Sequence, residues 1–391
     1  MRIFSGTIYI RKKYLAAVCL MIGIFSCLGV GFLKNCRVEP GAETAADAGE
    51  SGSDNEKNYI KWVEFHVTKE ALQLAYEYDL ETHNTKYPVH WVELLAYLGA
   101  RYGGDFSRFE LQDMKKAAEK LSVGETTIEK LTQDMEYYEY YHEAYEAILG
   151  GMVGEYQIPE SSAESKDSGT GEESAENESS TGIGHGKSGI AWQTCYGLKA
   201  FHPIAKGFPY SDYDDFGVSR TYGYKREHLG HDMMGQVGTP VIAVESGYVA
   251  ELGWNQYGGW RVGINSFDGK RYYYYAHLRQ NVPFAEGLEK GSVVQAGDVI
   301  GYIGRTGYST KENVNNIDEY HLHFGLQLIF DESQRDGNNQ IWIDVYPLVR
   351  FLYQNQSQTV RNDETKEWKR VIQIRDPAVQ EYEKLHGKEG G

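Results

Sequence analysis

The stretch YHLHFGLQLIF, residues 320–330, contains two histidines within an otherwise apolar run. Its length and its aromatic and branched residues are typical of a buried β-strand. Because side chains alternate between the two faces of a strand, His321 and His323 share one face while Leu322 points to the other. This strand therefore brings two imidazoles together, either as part of a metal site or as ordinary histidines on a half-exposed strand.

Short segments of the same kind, separated by glycine-containing turns, fill the sequence from residue 191 to residue 355. Examples are TPVIAVESGYVAEL, RYYYYAHL and DVIGYIG. Regular turn signals between β-favouring segments predict a mostly antiparallel β domain. Three more candidate site residues lie in this domain. His228 and Asp232 stand four residues apart, and His277 lies on the predicted strand RYYYYAHL. Imidazole and carboxylate groups together are suitable zinc ligands.

Five segments of this domain, in this order, resemble the M23 zinc endopeptidases, also called the lysostaphin or LytM type, which cut the peptides of bacterial peptidoglycan. The matching segments are HLGHD at 228–232, GTPV at 238–241, YAHL at 275–278, GDVIGYIGRTGYST at 297–310 and HLHF at 321–324. The resemblance covers about residues 201–328. It implies an antiparallel β fold of the LytM type with peptidase activity.

The resemblance also implies a role for each candidate residue. His228, Asp232 and His323 are expected to bind Zn²⁺, whereas His321 and His277 stand beside the metal without binding it. Zinc polarises the scissile carbonyl and lowers the pKa of water to about 7, but a nearby base must still accept a proton. His321 is expected to be that base, with His277 orienting water or stabilising the oxyanion. The spacing of His321 and His323 alone does not decide which of them binds the metal.

Other residues near these motifs carry secondary expectations. Some relatives place a tyrosine hydroxyl near the oxyanion, and Tyr222 or Tyr224 is a candidate, with a structural role as the alternative. His231 is expected to point outward rather than to bind metal. The polar insertion KENVNNIDE, residues 311–319, and Gly325 depart from the pattern of many relatives. We expect the insertion to lie at the lip of the cleft, where it would affect substrate preference.

The N-terminal sequence predicts a membrane anchor. The segment LAAVCLMIGIFSCLGVGFL, residues 15–33, has no charged residue and is long enough to cross a hydrocarbon layer of about 30 Å. Basic residues precede it, so residues 1–36 are expected to form a cytoplasmic N-terminus and the anchor of a single-pass cell-membrane protein, with the catalytic domain extracytoplasmic. A cleaved signal peptide or a lipid on Cys27 are the alternatives. Residues 37–58 have the composition of a flexible stalk.

Residues 59–156 show apolar residues three and four apart and predict a helical domain of about four helices. A protein partner of this domain is left open. One fragment, GARYGGDF, weakly resembles lysozyme-like transglycosylases, but Arg101 occupies the position of the catalytic glutamate and does not release its proton.

Residues 157–190 are rich in Ser, Gly and Glu and predict a disordered acidic linker. Residues 356–391 are expected to be a charged C-terminal tail.

The chain of 391 residues has a net charge of −17, which argues against nucleic acid as the main partner because such binding needs a basic face. Its four scattered cysteines argue against a disulfide scaffold. The sequence therefore predicts a multidomain, membrane-anchored zinc endopeptidase that acts on peptidoglycan peptides. Two alternatives are a LytM-type scaffold or regulator without hydrolytic activity, and a two-enzyme wall hydrolase whose helical domain cuts glycan.

Overall fold

The computed structural model describes residues 59–160, 191–221 and 225–386. The helices are α1 Lys69–Thr82, α2 Trp91–Tyr102, α3 Leu111–Ser122, α4 Ile128–Thr132, α5 Tyr138–Leu149, α6 Tyr346–Leu352 and α7 Pro377–His386. The strands are β1 Val153–Pro159, β2 Trp192–Leu198, β3 Tyr210–Ser211, β4 Ser219–Thr221, β5 Lys225–Glu227, β6 His231–Gly235, β7 Pro240–Ile242, β8 Gly247–Asn255, β9 Gly259–Ser266, β10 Arg271–Ala276, β11 Val293–Val294, β12 Val299–Tyr302, β13 His321–Leu328, β14 Ile341–Trp342, β15 Thr359–Arg361 and β16 Trp368–Arg370.

The predicted helices in residues 59–156 are present. Helix α1 begins after Thr68, whose hydroxyl accepts a hydrogen bond from the backbone N–H of Ala71 at 3.3 Å. Helix α2 ends at Tyr102 and is capped by Gly103, which adopts the left-handed conformation with φ of 64° that favours glycine. This part of the chain has five α-helices rather than the expected four, because Thr127 caps a separate short helix, α4, and a 3-10 turn, Phe106–Arg108, follows α2.

The predicted antiparallel β architecture is confirmed in the second half of the chain. The large sheet has the strand order β11, β8, β9, β10, β13, β6, β3, and β14 pairs with the far end of β13. Strand β13, which carries the histidine pair, lies between β10 and β6. Both of its neighbours are antiparallel to it, so residues from three strands meet at the N-terminal end of β13.

The helices and the sheet share one hydrophobic core. The ring of Phe351 in α6 packs 5.8 Å from the ring of Tyr76 in α1 and 5.9 Å from Trp91 in α2. Strand β1 pairs along its whole length with β2, across the segment 161–190 that lies outside the described residues. The predicted start of the linker, residue 157, thus falls inside a paired strand, because backbone pairing with β2 orders a stretch whose composition alone looks like a boundary.

The C-terminal residues predicted as a tail are folded as far as the structure describes them. Strands β15 and β16 pair with each other, and α7 follows. Ile374 and Val379 are buried, and the guanidinium of Arg375 lies 3.7 Å from the ring centre of Trp192. A few apolar residues are enough to hold this otherwise charged segment against the β1–β2 pair.

Within the described ranges, none of the helices has the length and apolar character needed to span a bilayer. The predicted anchor, residues 15–33, and the predicted stalk, residues 37–58, lie outside those ranges.

Candidate functional site

The candidate site lies where β6, β13 and the end of β10 meet. In the register of the sheet, His323 stands opposite Asp232 of β6 on one side and opposite Ala276 of β10 on the other. His277 immediately follows Ala276, the last residue of β10. Because successive side chains of β13 alternate between the two faces of the sheet, His321 projects to the same face as His323. The fold thus brings four of the five predicted residues together by strand pairing alone.

Three donor atoms, from His228, Asp232 and His323, converge. His228 Nε2 lies 3.1 Å from Asp232 Oδ1 and 2.9 Å from His323 Nδ1. His323 Nδ1 lies 2.9 Å from the same carboxylate oxygen. In the part of the chain that the structure describes, these three side chains form the group of histidines and carboxylates that is tight enough to share one metal ion.

The chemistry of these atoms fits Zn²⁺. His228 Nδ1 lies 3.0 Å from the carbonyl oxygen of Asp215, so Nδ1 carries the proton and Nε2 keeps its lone pair. Lone pairs and a carboxylate oxygen that face one another at about 3 Å repel unless a cation or a proton lies among them. Two imidazole nitrogens and one carboxylate oxygen are a ligand set of catalytic zinc sites, in which a fourth position stays open.

Asp215 and Arg220 support two of the donor residues from behind. Asp215 is fully buried and its Oδ2 lies 3.2 Å from His228 Nδ1. Arg220 Nη2 donates to Asp215 Oδ2 at 2.7 Å and to Asp232 Oδ2 at 3.1 Å. This arrangement leaves Asp232 Oδ1 free to face the two histidines. Asp215 and Arg220 thus fix the orientation of His228 and Asp232.

Replacing Asp215 by asparagine is expected to weaken zinc binding by about tenfold to a hundredfold, as loss of a partner behind a histidine ligand commonly does. Competition against a fluorescent chelator would measure the affinity. Asp214→Asn is the matched control, since Asp214 is the exposed neighbour. Equal zinc affinity of the Asp215→Asn variant and this control would contradict the role assigned to Asp215.

His321 is held in the tautomer that a general base needs. Its Nδ1 lies 3.0 Å from the carbonyl oxygen of Glu319, to which it donates, so Nε2 is the nitrogen free to accept a proton. That Nε2 lies 3.7 Å from Asp232 Oδ1, at the edge of the donor group. The backbone of the predicted insertion, residues 311–319, therefore orients the predicted base.

His277 is fixed in the same way. Its Nδ1 donates to the carbonyl oxygen of Thr306 at 2.9 Å, and its ring centre lies 4.8 Å from that of His321. Burial and the neighbouring His321 and His323 hold the pKa of His277 well below its ordinary value, so its ring is neutral. Its backbone has φ of 62°, a conformation that is uncommon for residues other than glycine. Backbone bonds from His277 N–H to Gly258 and from Gly304 N–H to His277 hold it there.

The central position of the HLGHD motif, Gly230, has no room for a side chain. A Cβ at this position would lie 2.6 Å from Cε1 and Nε2 of His323 and 2.9 Å from the carbonyl oxygen of Phe324. Any larger residue would displace the His323 ring. The glycine lets the segment between His228 and Asp232 pass close to β13.

His231 does not point outward, so that expectation is wrong. It is only 1% exposed, its Nε2 lies 3.1 Å from Asp212 Oδ2, and its ring packs 5.2 Å from that of Tyr346 in α6. Strand alternation does turn it away from Asp232, but Asp212 and α6 cover that face of β6. Its role here is structural.

The remaining sequence candidates have these positions. Tyr222 and Tyr224 lie outside the described residues. The insertion lies beside the site, since Asn316 Nδ2 donates to the carbonyl oxygen of Tyr308 at 2.7 Å and the Tyr308 ring lies 5.9 Å from that of His277. Arg101 forms an ion pair with Asp113 at 3.2 Å.

Sequence reasoning missed Asp215 and Arg220. Asp215 lies 13 residues before His228 and Arg220 lies 12 residues before Asp232 in the sequence, and neither separation follows a helix or strand period. The run of acidic residues SDYDD at 211–215 was the available signal. An acidic run beside a predicted metal site is a reasonable place to look for residues that orient its ligands.

Without metal, the free energy of unfolding is expected to fall as pH rises from 6.5 to about 9. Burial disfavours the charge on His228, but hydrogen bonds to Asp215 and Asp232 outweigh this and raise its pKa from 6.5 to about 9. A group whose pKa is raised by folding contributes stability that is complete below its unfolded pKa and is lost as pH rises through the folded pKa. The pKa of His231 is also raised, by Asp212 and Asp215 against the effect of burial, so it acts in the same direction.

This contribution amounts to about 3 kcal/mol for His228. Chemical unfolding of the chelator-treated full chain, across about pH 6 to about pH 10, would measure it. The slope is expected to be smaller in a His228→Asn variant. A metal-free protein whose stability is flat or rises over this range would contradict the protonation states described here.

Comparison with known proteins agrees with this geometry. Residues 226–342 match the model of peptidase family M23. An L-Ala–D-Glu endopeptidase of Bacillus subtilis is 35% identical over 149 residues, which are 38% of this chain and 42% of that protein. Lysostaphin of Staphylococcus simulans is 39% identical over 98 residues, 25% of this chain and 17% of that protein. The chain thus spans less than half the length of these curated relatives.

A solved structure of a LytM-type protein from Ruminococcus gnavus is 23% identical, covers 75% of this chain and 90% of its own, and has a TM-score of 0.45. The match to the family model begins at Arg226 in β5 and ends at Trp342 in β14, so it includes all five predicted site residues. The chain therefore carries a peptidase family M23 domain, as the order of its motifs predicted.

Proposed function

We propose that this protein is a zinc metalloendopeptidase that hydrolyses peptide bonds of bacterial peptidoglycan. One observation carries the proposal: three metal-binding atoms converge beside two histidines that each keep an unprotonated Nε2, within a domain of family M23. The complete set of donor residues also favours an enzyme over a scaffold that has lost its ligands.

The chain's own residues supply positioning and proton transfer. When bound by His228, Asp232 and His323, Zn²⁺ supplies a Lewis acid that polarises the scissile carbonyl and acidifies water. His321 Nε2 accepts the proton of the attacking water and then donates it to the leaving amine. His277 is neutral, and its Nε2 accepts a hydrogen bond from the attacking water and so orients it.

The substrate proposal has support from the relatives. One similar protein is named as an endopeptidase for the L-Ala–D-Glu bond, which supports a peptide as the substrate. The order of the five motifs resembles that of M23 endopeptidases, which cut the peptides of peptidoglycan. The groove beside His323 has a volume of about 970 Å³, which is enough for several residues of an extended peptide.

Mass spectrometry of the fragments that the full chain releases from purified peptidoglycans would test the proposed function. We expect new peptide termini and unchanged glycan strands, and we expect a chelator to abolish release and added Zn²⁺ to restore it. Glycan products would support the two-enzyme alternative instead. Absence of any product at saturating zinc would contradict the proposal.

We also propose that residues 15–33 anchor the protein in the cell membrane with the peptidase domain outside the cytoplasm. The support is the uncharged run of nineteen residues and the basic residues before it. Fractionation of cells that express the full chain or a variant without residues 15–33 would test it. The full chain is expected in the membrane fraction and the variant in the soluble fraction. Recovery of the full chain as a shortened soluble protein would favour a cleaved signal peptide.

A further inference from the structure

The groove beside the donor residues contains an arginine whose charge is not balanced within the described residues. The groove extends over β8, β9, β10 and β13 from His323, and its lining includes Arg226, Arg261 and Arg335. A guanidinium needs anionic or carbonyl partners for its five N–H groups when it is partly buried. The three arginines differ in how far the protein itself supplies such partners.

Two of the three arginines have carboxylate partners. Arg261 pairs with Glu251, which also accepts a hydrogen bond from Tyr272 OH at 3.1 Å. Arg335 pairs with Glu332 through its Nε at 2.5 Å. The charges of Arg261 and Arg335 are therefore balanced by carboxylates of the protein itself.

Arg226 is half-buried, and it forms no ion pair with any carboxylate of the described residues. Its Nη2 donates a hydrogen bond to the hydroxyl of Tyr308, and its guanidinium carbon lies 5.2 Å from the centre of the Tyr308 ring. Its Nε is buried without a hydrogen-bond partner. The ring contact and one hydroxyl orient the cation but do not neutralise it.

The pairing of β4 with β5 makes this isolation more costly. Arg226 stands directly opposite Arg220 on that hairpin, and like charges at directly opposite positions repel. Arg220 is neutralised by Asp215 and Asp232. Arg226 has no equivalent, so an anion from outside the described chain would relieve the imbalance.

Arg226 lies close to the reacting groups. Tyr308, on which it stacks, has its ring 5.9 Å from that of His277. Tyr274, which lines the same groove, has its ring 5.9 Å from that of His323. A ligand group bound at Arg226 would therefore lie near the donor residues.

We propose that Arg226 forms a carboxylate-binding subsite of this groove and selects peptides that carry a free carboxylate near the scissile bond. The inference rests on the proposed peptidase function and adds the charge class of its substrate. A guanidinium binds carboxylates through charge-assisted, geometrically specific hydrogen bonds. The other acidic residues lining the groove, Glu227 and Asp336, are exposed to solvent, which screens their repulsion of a bound anion.

The test compares two peptidoglycan stem peptides that differ at one acidic residue, which has a free carboxylate in one peptide and a carboxamide in the other. The ratio of kcat/KM for the two peptides is measured for the zinc-loaded full chain. The wild type is expected to prefer the carboxylate by about tenfold to a hundredfold. In Arg226→Gln the ratio is expected to fall to about one, and in Arg226→Lys, which keeps the charge, part of the preference is expected to remain.

Arg305→Gln is the matched control. Arg305 also lies 5.2 Å from a tyrosine ring, that of Tyr320, and also has a buried Nε without a partner, but it does not line the groove. This control is expected to keep the wild-type ratio. A wild-type ratio near one, or an Arg226→Gln variant that keeps the wild-type ratio, would overturn the proposal.

A binding measurement separates this inference from the proposed function. Calorimetry with the full chain carrying His321→Ala reports the affinity for the two peptides without turnover. If the wild type cleaves neither peptide, the proposed function fails, and the subsite is then judged by whether the carboxylate peptide binds more tightly and whether adding Arg226→Gln removes the difference. Equal affinities for the two peptides would overturn the subsite.

Discussion

Replacement of His321 by alanine is expected to lower kcat on peptidoglycan peptides by about a hundredfold to ten-thousandfold. The physical reason is the loss of Nε2, which is the proton-accepting nitrogen of the neutral ring because Nδ1 donates to the Glu319 carbonyl. Zinc content is expected to stay at the wild-type level, because the three converging donor atoms belong to other residues. Single-turnover kinetics together with metal analysis would measure both quantities.

The control for this variant is His66→Ala, since the His66 side chain is 57% exposed and lies in the segment before α1. It is expected to keep full activity and full zinc content. Two outcomes would contradict the assignment of His321 as the base. One is activity above about a tenth of the wild type. The other is a loss of zinc in parallel with activity, which would show that His321 belongs to the ligand set.

Replacement of Arg271 by methionine is expected to lower the free energy of unfolding by about 3–5 kcal/mol. Arg271 is only 2% exposed, and it bonds Glu245 through Nε at 2.8 Å and through Nη2 at 3.1 Å. Its Nη1 also donates to the carbonyl oxygen of Ala147 at 2.9 Å, in the last turn of α5. The substitution leaves the Glu245 carboxylate buried with Tyr273 OH as its remaining strong donor, and it breaks a polar contact between the helices and the sheet.

Urea unfolding would measure this loss, and hydrogen exchange in α5 would show whether the helix loosens first. The matched control is Arg108→Met, because the Arg108 side chain is 67% exposed and its ion pair with Asp105 contributes at most about 1 kcal/mol. A double variant, Arg271→Met with Glu245→Leu, is expected to recover part of the stability because it removes the stranded charge. Equal losses for Arg271→Met and the exposed control would contradict the structural role of Arg271.

Local rules predicted the parts of the structure that depend on neighbouring residues. Strand alternation in HLHF placed His321 and His323 on one face, and strand pairing then set Asp232 opposite His323. The same rule turned His231 away from Asp232, but it gave no information about what covers the other face of β6. The sequence therefore suggested an exposed His231, whereas Asp212 and Tyr346 bury it.

Contacts between distant segments were not predictable in this way. Asp215 reaches His228 because a loop without periodic pattern folds behind the site. Arg271 looks like an exposed end of a tyrosine-rich strand, and only the docking of α5 makes it a buried partner of Glu245. The Ser-, Gly- and Glu-rich composition of residues 157–190 suggested a boundary between domains, and it gave no sign that β1 and β2 pair across it.

His228, Asp232 and His323 are proposed to hold one zinc ion that the peptidase needs. Metal analysis and zinc-edge X-ray absorption of the full chain, after zinc saturation and desalting, would measure this site. We expect one zinc per chain, coordinated by two imidazoles and one carboxylate at about 2.0–2.2 Å, and loss of that zinc in His323→Ala together with loss of peptide hydrolysis. A wild-type chain that hydrolyses peptidoglycan peptides without zinc, or a His323→Ala variant that keeps both the metal and its coordination, would contradict it.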